Sequence, residues 1–305
     1  MGDISKAIEA ARMGMPHIEY RLNEPMKNHT SFRVGAPLRA MFFPKNAVEM
    51  TDLCVLLHRY EIVPLIVGNG TNLLVDDSKT LEMIAVKTSC INDVLQTGKT
   101  EITAGAGISL PKLAQFACGC SLTGIEFAHG IPGSLGGAVS MNAGAYGTEM
   151  KDVVLSTEAY SPHRGTYKLT GMEHEFSYRH SRLTDTEDII LSTTIQLRED
   201  DKDNIASCMD ELAARRRNSQ PLDLPSAGST FKRPKNGYAA DLIERAGLKG
   251  FTVGDAQVSR KHAGFVVNNG NATFRDIMAV IDHVRETVFK QFGIELELEN
   301  KIVRS

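Results

Sequence analysis

Three glycine-rich segments, GNGTN at 68–72, AGAG at 104–107 and GIPGSLGG at 130–137, each follow a β-like or apolar run. They restrict the chain to folds in which backbone closely approaches something else. Glycine lacks a Cβ and tolerates positive φ, so successive peptide N–H groups can turn toward phosphate oxygens. One such turn is ordinary, but three of them with Ser and Asn interleaved point to a pyrophosphate-bearing ligand. No Lys-Ser/Thr pair follows the glycines, which argues against a P-loop, and none forms the G-x-G-x-x-G opening of a βαβ unit, which argues against a Rossmann site. In the third segment Pro132 suits a first helical turn, whose N–H groups and partial positive charge would face an anion.

The bulk of the chain sets the frame for that ligand. Its 305 residues, with 42% hydrophobic and 23% charged side chains, are enough for two domains or one large domain with a satellite. A net charge of -3 argues against a nucleic-acid surface, so an anionic ligand must be met locally. There is no signal-like N-terminal apolar run and no window of roughly 18 apolar residues, so the expectation is a cytoplasmic protein without a membrane span. The five cysteines, odd in number and with one C-x-C pair, read as reduced and mostly buried thiols. No histidine pair has metal-ligand spacing, and no metal is expected.

Periodicity gives a coarse map. Residues 38–43 alternate as a strand, Asn46 with Glu49 opens a helix, and the apolar strand 62–67 runs into GNGTN. Short strands at 83–86 and 101–104, a helix near Pro111, the long glycine-rich stretch and a strand at 189–197 follow. Asn204 opens a helix ending in Arg215-Arg216-Arg217, beyond which the irregular QPLDLPSAGSTFKRP marks a domain change. A helix capped by Thr273 and Asp276 places Phe274, Ile277, Ile281, Val284, Val288 and Phe292 on one face and stops at Gly293. A closing strand spans 294–303. The division drawn from this map is 1–79, 80–203 and 204–305.

GNGTNLLV, AGAG, GIPGSLGGAVSMNAGAYG, YRHS at 178–181, PSAGSTFKRP at 225–234 and GIELELENKI at 293–302 occur in the order and spacing of the UDP-N-acetylenolpyruvoylglucosamine reductases. The chain resembles that family over roughly residues 27 to 303, in the class lacking an extra substrate-capping loop. The resemblance implies an α+β fold: a two-lobed FAD-binding domain of the vanillyl-alcohol-oxidase (PCMH) type, followed by a C-terminal α+β substrate-binding domain. It implies non-covalent FAD held by Gly68, Asn69, Gly70, Thr71, Asn72, Gly105, Gly107, Gly130, Ile131, Pro132, Gly133, Ser134, Gly136, Gly137, Asn142 and Ala145, with NADPH as co-substrate. His129 reads as a packing residue rather than a covalent flavin anchor. Departures from the family pattern are Arg233 in place of Asn, and Leu298 and Asn300 in place of Pro and Val; the last two leave Glu297 as a rival to Glu299.

The chemistry implied by the resemblance gives three residues work. Hydride addition to an enolpyruvyl ether places charge on its carboxylate, which Arg179 can bind bidentately. Ser229 is the implied proton donor to C2, and a protonated Glu299 would hydrogen-bond the developing oxyanion. Tyr178, Arg217 and Lys232 are the implied contacts to the rest of a UDP-sugar substrate, and a monomer is expected. Taken without the family, Arg179 is also readable as a solvated basic turn, Ser229 as a turn hydroxyl and both glutamates as the exposed face of a strand. The competing functions are another flavin oxidoreductase on the same scaffold, such as an alcohol or sugar oxidase, and a non-catalytic nucleotide-binding sensor.

Overall fold

A computed structural model describes residues 2–235 and 237–304, and these form two compact units, each drawn from three stretches of the chain. The first contains the chain up to Leu22, Arg39–Asn69 and Met83–Ala214; the second contains Asn23–Leu38, Gly70–Glu82 and the chain from Arg215. Three separate apolar cores fill them, two in the first unit and one in the second.

In the first unit, one core lies under a sheet ordered Glu19–Pro25, Pro37–Phe43, Leu81–Lys87, Leu65–Val67. The strand Pro37–Phe43 buries most of both faces, because helices Ile4–Gly14 and Ala47–Arg59 contribute Ala7, Ala11, Met50, Leu53 and Leu57 to the same core. The second helix starts as its sequence requires: the Asn46 side chain accepts from the Glu49 amide at 2.9 Å. The expected strand 62–67 is shorter, Leu65–Val67, and pairs in parallel with Ala85, Val86 and Lys87. The other core backs a five-stranded antiparallel sheet ordered Gly165–Thr170, Val154–Ser161, Ile189–Gln196, Glu101–Gly105, Val94–Gln96. Helices Leu110–Gly119, with Pro111 in its first turn, and Leu135–Ser140 pack onto that core. The long helix begins at Lys202 rather than Asn204, because the Asp201 carboxylate accepts the Asp203 amide at 2.9 Å and the Asn204 amide at 3.3 Å.

In the second unit, helix Phe274–Phe292 places Ile277, Val280, Ile281, Val284 and Val288 in a core shared with the small sheet Thr252–Val253, Ala256–Val258, Val266–Asn268. Strands Leu73–Val75 and Lys301–Val303, far apart in sequence, pair in parallel. The closing strand is therefore only three residues long, and 294–300 is extended chain carrying one bridge, Phe231 to Leu298. Of the five cysteines, Cys54 and Cys118 are buried and Cys90 and Cys208 are exposed, so the reading as mostly buried thiols holds for two.

The long helix has a reciprocal cap, in which Thr273 accepts the Asp276 amide and Asp276 accepts the Thr273 amide, and it ends on Gly293 at φ 66°. Thr273→Ala is expected to destabilise the chain by about 1 kcal/mol. A lowered midpoint in equilibrium urea unfolding checks this.

Candidate flavin and substrate sites

The first unit brings the first and third glycine-rich segments together. An added Cβ at Gly68 would lie 2.1 Å from the Ser134 hydroxyl and 3.2 Å from the Ser134 Cβ, so the close meeting of the two turns favours glycine. The Asn69 side chain donates to the Pro132 carbonyl at 2.7 Å and ties them. Among the described residues, no hydrogen bond takes the amides of Gly68, Asn69, Gly133 or Ser134. These are the open donors of the platform. Two further groups beside it were not read as site features from the sequence. Lys87, at the end of an apolar strand, is 9% exposed and donates to the Gly68 carbonyl at 2.5 Å. His129 Nδ1 is buried without a partner.

The other glycines are held differently. The amides of Gly105, Ala106 and Gly107 bond to the carbonyls of Asp93, Leu191 and Ile91, which leaves the middle turn no donor for a phosphate. Its glycines are required because a Cβ at Gly107 would lie 1.7 Å from the Thr88 carbonyl and one at Gly105 2.5 Å from that of Ile91. In the third turn, Leu135 and Gly136 donate to Ile108 and Ala106, and Pro132 precedes the N-cap Ser134 rather than sitting in the helix. Gly136 has no positive φ; its constraint is Ala106, whose Cβ would be 3.0 Å from an added Cβ. Gly137, Gly130 and Ile131 line the same segment, and the Ile131 amide bonds to Ala128. Asn142 is fully buried, with its amide nitrogen bonded to Glu149 and the Ser177 carbonyl and its oxygen to the Lys151 amide. Its side chain thus supports the YRHS segment. Ala145 sits in a two-residue strand opposite Thr148.

The YRHS segment is a tight turn closed by reciprocal hydrogen bonds between Ser177 and His180. Arg179 at its tip has φ 55°, an uncommon state for a non-glycine residue. Its guanidinium donates to the Gly144 carbonyl at 3.4 Å and lies 5.0 Å from the centre of the Tyr178 ring. Ser181, fully buried, donates to Ser140, and His174 below is also fully buried. The His174 ring bonds to Thr157 Oγ1 and the Gly171 carbonyl and stacks on Phe176. Burial holds its pKa below the ordinary value, partly offset by the Gly171 bond and the charge of Glu173.

The second unit holds the other candidates. Gly70, at φ 64°, lies so close to the His29 carbonyl that a Cβ would be 1.9 Å from it. Thr71 leads to Asn72, whose side chain donates to the Glu299 carbonyl at 3.0 Å. Asn300, 5% exposed, donates to Asn72 Oδ1 and to the Ala227 carbonyl, with Ser229 O at 3.5 Å. The Glu299 amide donates to Thr230 O and the Lys232 amide to Glu297 O. Ser229 and Glu299 therefore lie on adjoining extended segments, both half-buried, followed by the buried Asn300. Glu297 has a 75% exposed side chain and pairs with Lys232 at 3.4 Å, whereas Glu299 is half-buried. Arg217 is exposed near the end of its helix, and its carbonyl accepts from Lys261.

Residues 38–170 match the FAD binding domain family, and with the α+β architecture above this defines the chain as a flavoprotein of that fold class. The C-terminal domain of UDP-N-acetylenolpyruvoylglucosamine reductase matches residues 220–303. The UDP-N-acetylenolpyruvoylglucosamine reductase of Caldanaerobacter subterraneus subsp. tengcongensis is 49% identical over 282 residues, 92% of this chain and 93% of that one. That of Pediococcus pentosaceus is 43% identical, covering 94% and 95%. The crystal structure of UDP-N-acetylenolpyruvylglucosamine reductase from Thermus caldophilus superposes with a TM-score of 0.79 at 31% identity, covering 94% of this chain and 99% of that one. The chain belongs to the UDP-N-acetylenolpyruvoylglucosamine reductase family.

The depressed His174 pKa gives the Arg179 turn a pH-dependent support. At neutral pH the ring is uncharged in both folded and unfolded chain. Below about 6.5 the unfolded chain takes up a proton that the folded chain resists, so stability falls as pH falls. His174→Gln, which cannot take up that proton, is expected to show a shallower loss of urea midpoint between about pH 7 and pH 5. Parallel pH profiles for the two proteins would contradict it.

Proposed function

We propose that the chain reduces the enolpyruvyl ether of UDP-N-acetylglucosamine to UDP-N-acetylmuramate in peptidoglycan precursor synthesis, using FAD and NADPH. The observation that carries this reading is near-complete coverage by a 49% identical relative of that name, with Arg179, Ser229 and Glu299 each on an ordered turn or extended segment. The platform at 68–69 and 133–134 fits the diphosphate of FAD: its amides are open, its glycines remove Cβ atoms, and a buried cation lies behind it. FAD, when bound, would carry hydride from NADPH to the methylene carbon of the substrate.

The protein's own residues act on the charge and the proton. Arg179 would bind the substrate carboxylate on which negative charge accumulates; its guanidinium is always charged, and the fixed turn keeps the reorganisation small. Ser229 would deliver the proton to C2, giving the saturated lactyl ether, because a carbon base of enediolate type is strong enough to take a proton from a positioned hydroxyl. Glu299 would donate a hydrogen bond to the carboxylate oxygen. Tyr178, Arg217 and Lys232 would contact the remainder of the UDP-sugar; Lys232 has Glu297 as its present partner, so substrate phosphate would compete with that carboxylate. The enzyme would work as a cytoplasmic monomer; among the described residues no helix is long and apolar enough to cross a membrane.

Two measurements test the reading. The purified protein is expected to be yellow, and acid precipitation should release all flavin to the supernatant; flavin kept in the pellet would mean a covalent link. Ser229→Ala is expected to keep its flavin and its anaerobic bleaching by NADPH, while reoxidation by the enolpyruvyl substrate slows roughly 10² to 10⁴-fold. Stopped-flow kinetics of the two half-reactions decides: equal slowing of both, or of neither, removes Ser229 as the proton donor.

A further inference from the structure

A cation buried without an anion is an unusual feature of a folded chain, and Lys87 is one. It is 9% exposed, and among the described residues its ammonium has no carboxylate partner; its bond to the Gly68 carbonyl is a single neutral contact. Taking an ammonium out of water is strongly unfavourable unless it is paired. Its pKa is accordingly pushed down to about 8, with burial as the cause. A selectively placed charge of this kind asks for a partner that is not part of the chain.

The direction of the bond says where that partner lies. Gly68 C=O and Asn69 N–H belong to one trans peptide, so they lie in its plane and point in opposite directions. An ammonium on the oxygen draws electron density toward it and makes the N–H opposite a stronger donor. That N–H is one of the open amides of the platform, and the Asn69 side chain, held to Pro132, fixes the peptide's orientation. Neighbouring amides at Gly133 and Ser134 complete a set of donors with no acceptor of their own.

We propose that Lys87 is a cofactor-binding residue that polarises the Gly68–Asn69 peptide and supplies the counter-charge for the FAD diphosphate. The proposal rests on the assignment of FAD to this platform. It assigns the residue to the phosphates and not to the isoalloxazine ring, and it explains why a lysine is tolerated in the apolar run LEMIAVK.

The test uses the full chain stripped of flavin by mild acid and salt, then titrated with FAD or riboflavin while flavin fluorescence is followed. Lys87→Met is expected to bind FAD roughly ten- to hundredfold more weakly, the range of a lost charge-assisted bond. Riboflavin, which has no phosphate, should bind both proteins equally. The thermal midpoint of the flavin-free variant should equal or exceed that of the parent, because an unpaired buried charge has gone, while the increase on adding FAD should shrink. Unchanged FAD affinity overturns the proposal. So does an equal loss for FAD and riboflavin, or a flavin-free variant that melts below the parent, since each makes Lys87 a structural cap of Gly68. Failure of the parent itself to bind FAD would instead sink the cofactor assignment.

Discussion

The constraint on which the ligand platform depends is the meeting of two turns: Gly68 lies against Ser134, and the hydrogen bond from Asn69 to Pro132 ties them. Each side depends on elements that have little sequence in common. Gly68 follows a three-residue strand paired with the end of the Leu81–Lys87 strand, and Ser134 precedes a six-residue helix fastened to Ala106 and Ile108. A side chain at 68 would displace the Ser134 hydroxyl. Glycine is favoured here by steric closeness and not by left-handed backbone, which contrasts with Gly70, where positive φ and the His29 carbonyl act together.

Within its two units the protein distributes polar groups in two ways. Three supporting groups are fully satisfied: Asn142 uses both ends of its amide, His174 both ring nitrogens, Thr230 its amide, carbonyl and hydroxyl. Groups suited to a ligand are left with capacity: the platform amides, His129 Nδ1 and Lys87. Buried polar groups without partners are costly, so His129 Nδ1 and the Lys87 ammonium beside the glycine-rich turns are groups that a ligand would satisfy. In the second unit, Asn72 and Asn300 give Ser229 and Glu299 a common support by bonding to the backbone on either side of them.

Local chemistry was readable in the amino-acid string alone. The capped helices at Asn46 and Thr273, the Gly293 stop and the order of the glycine turns rest on contacts within a few residues, and the fold class and family follow from that order over nearly the whole chain. Tertiary structure decided what depends on residues distant in sequence. It decided that Asn23–Leu38 and Gly70–Glu82 join the C-terminal chain in one unit, because Leu73–Val75 pairs with Lys301–Val303. It decided that AGAG is a packing turn, since its amides meet carbonyls at 91, 93 and 191. It set Glu299 half-buried and Glu297 exposed, although alternation treats them alike. And it turned Lys87, the last residue of an apolar strand, into a buried charge, because burial is a property of what packs around a residue and no neighbour in sequence reports it.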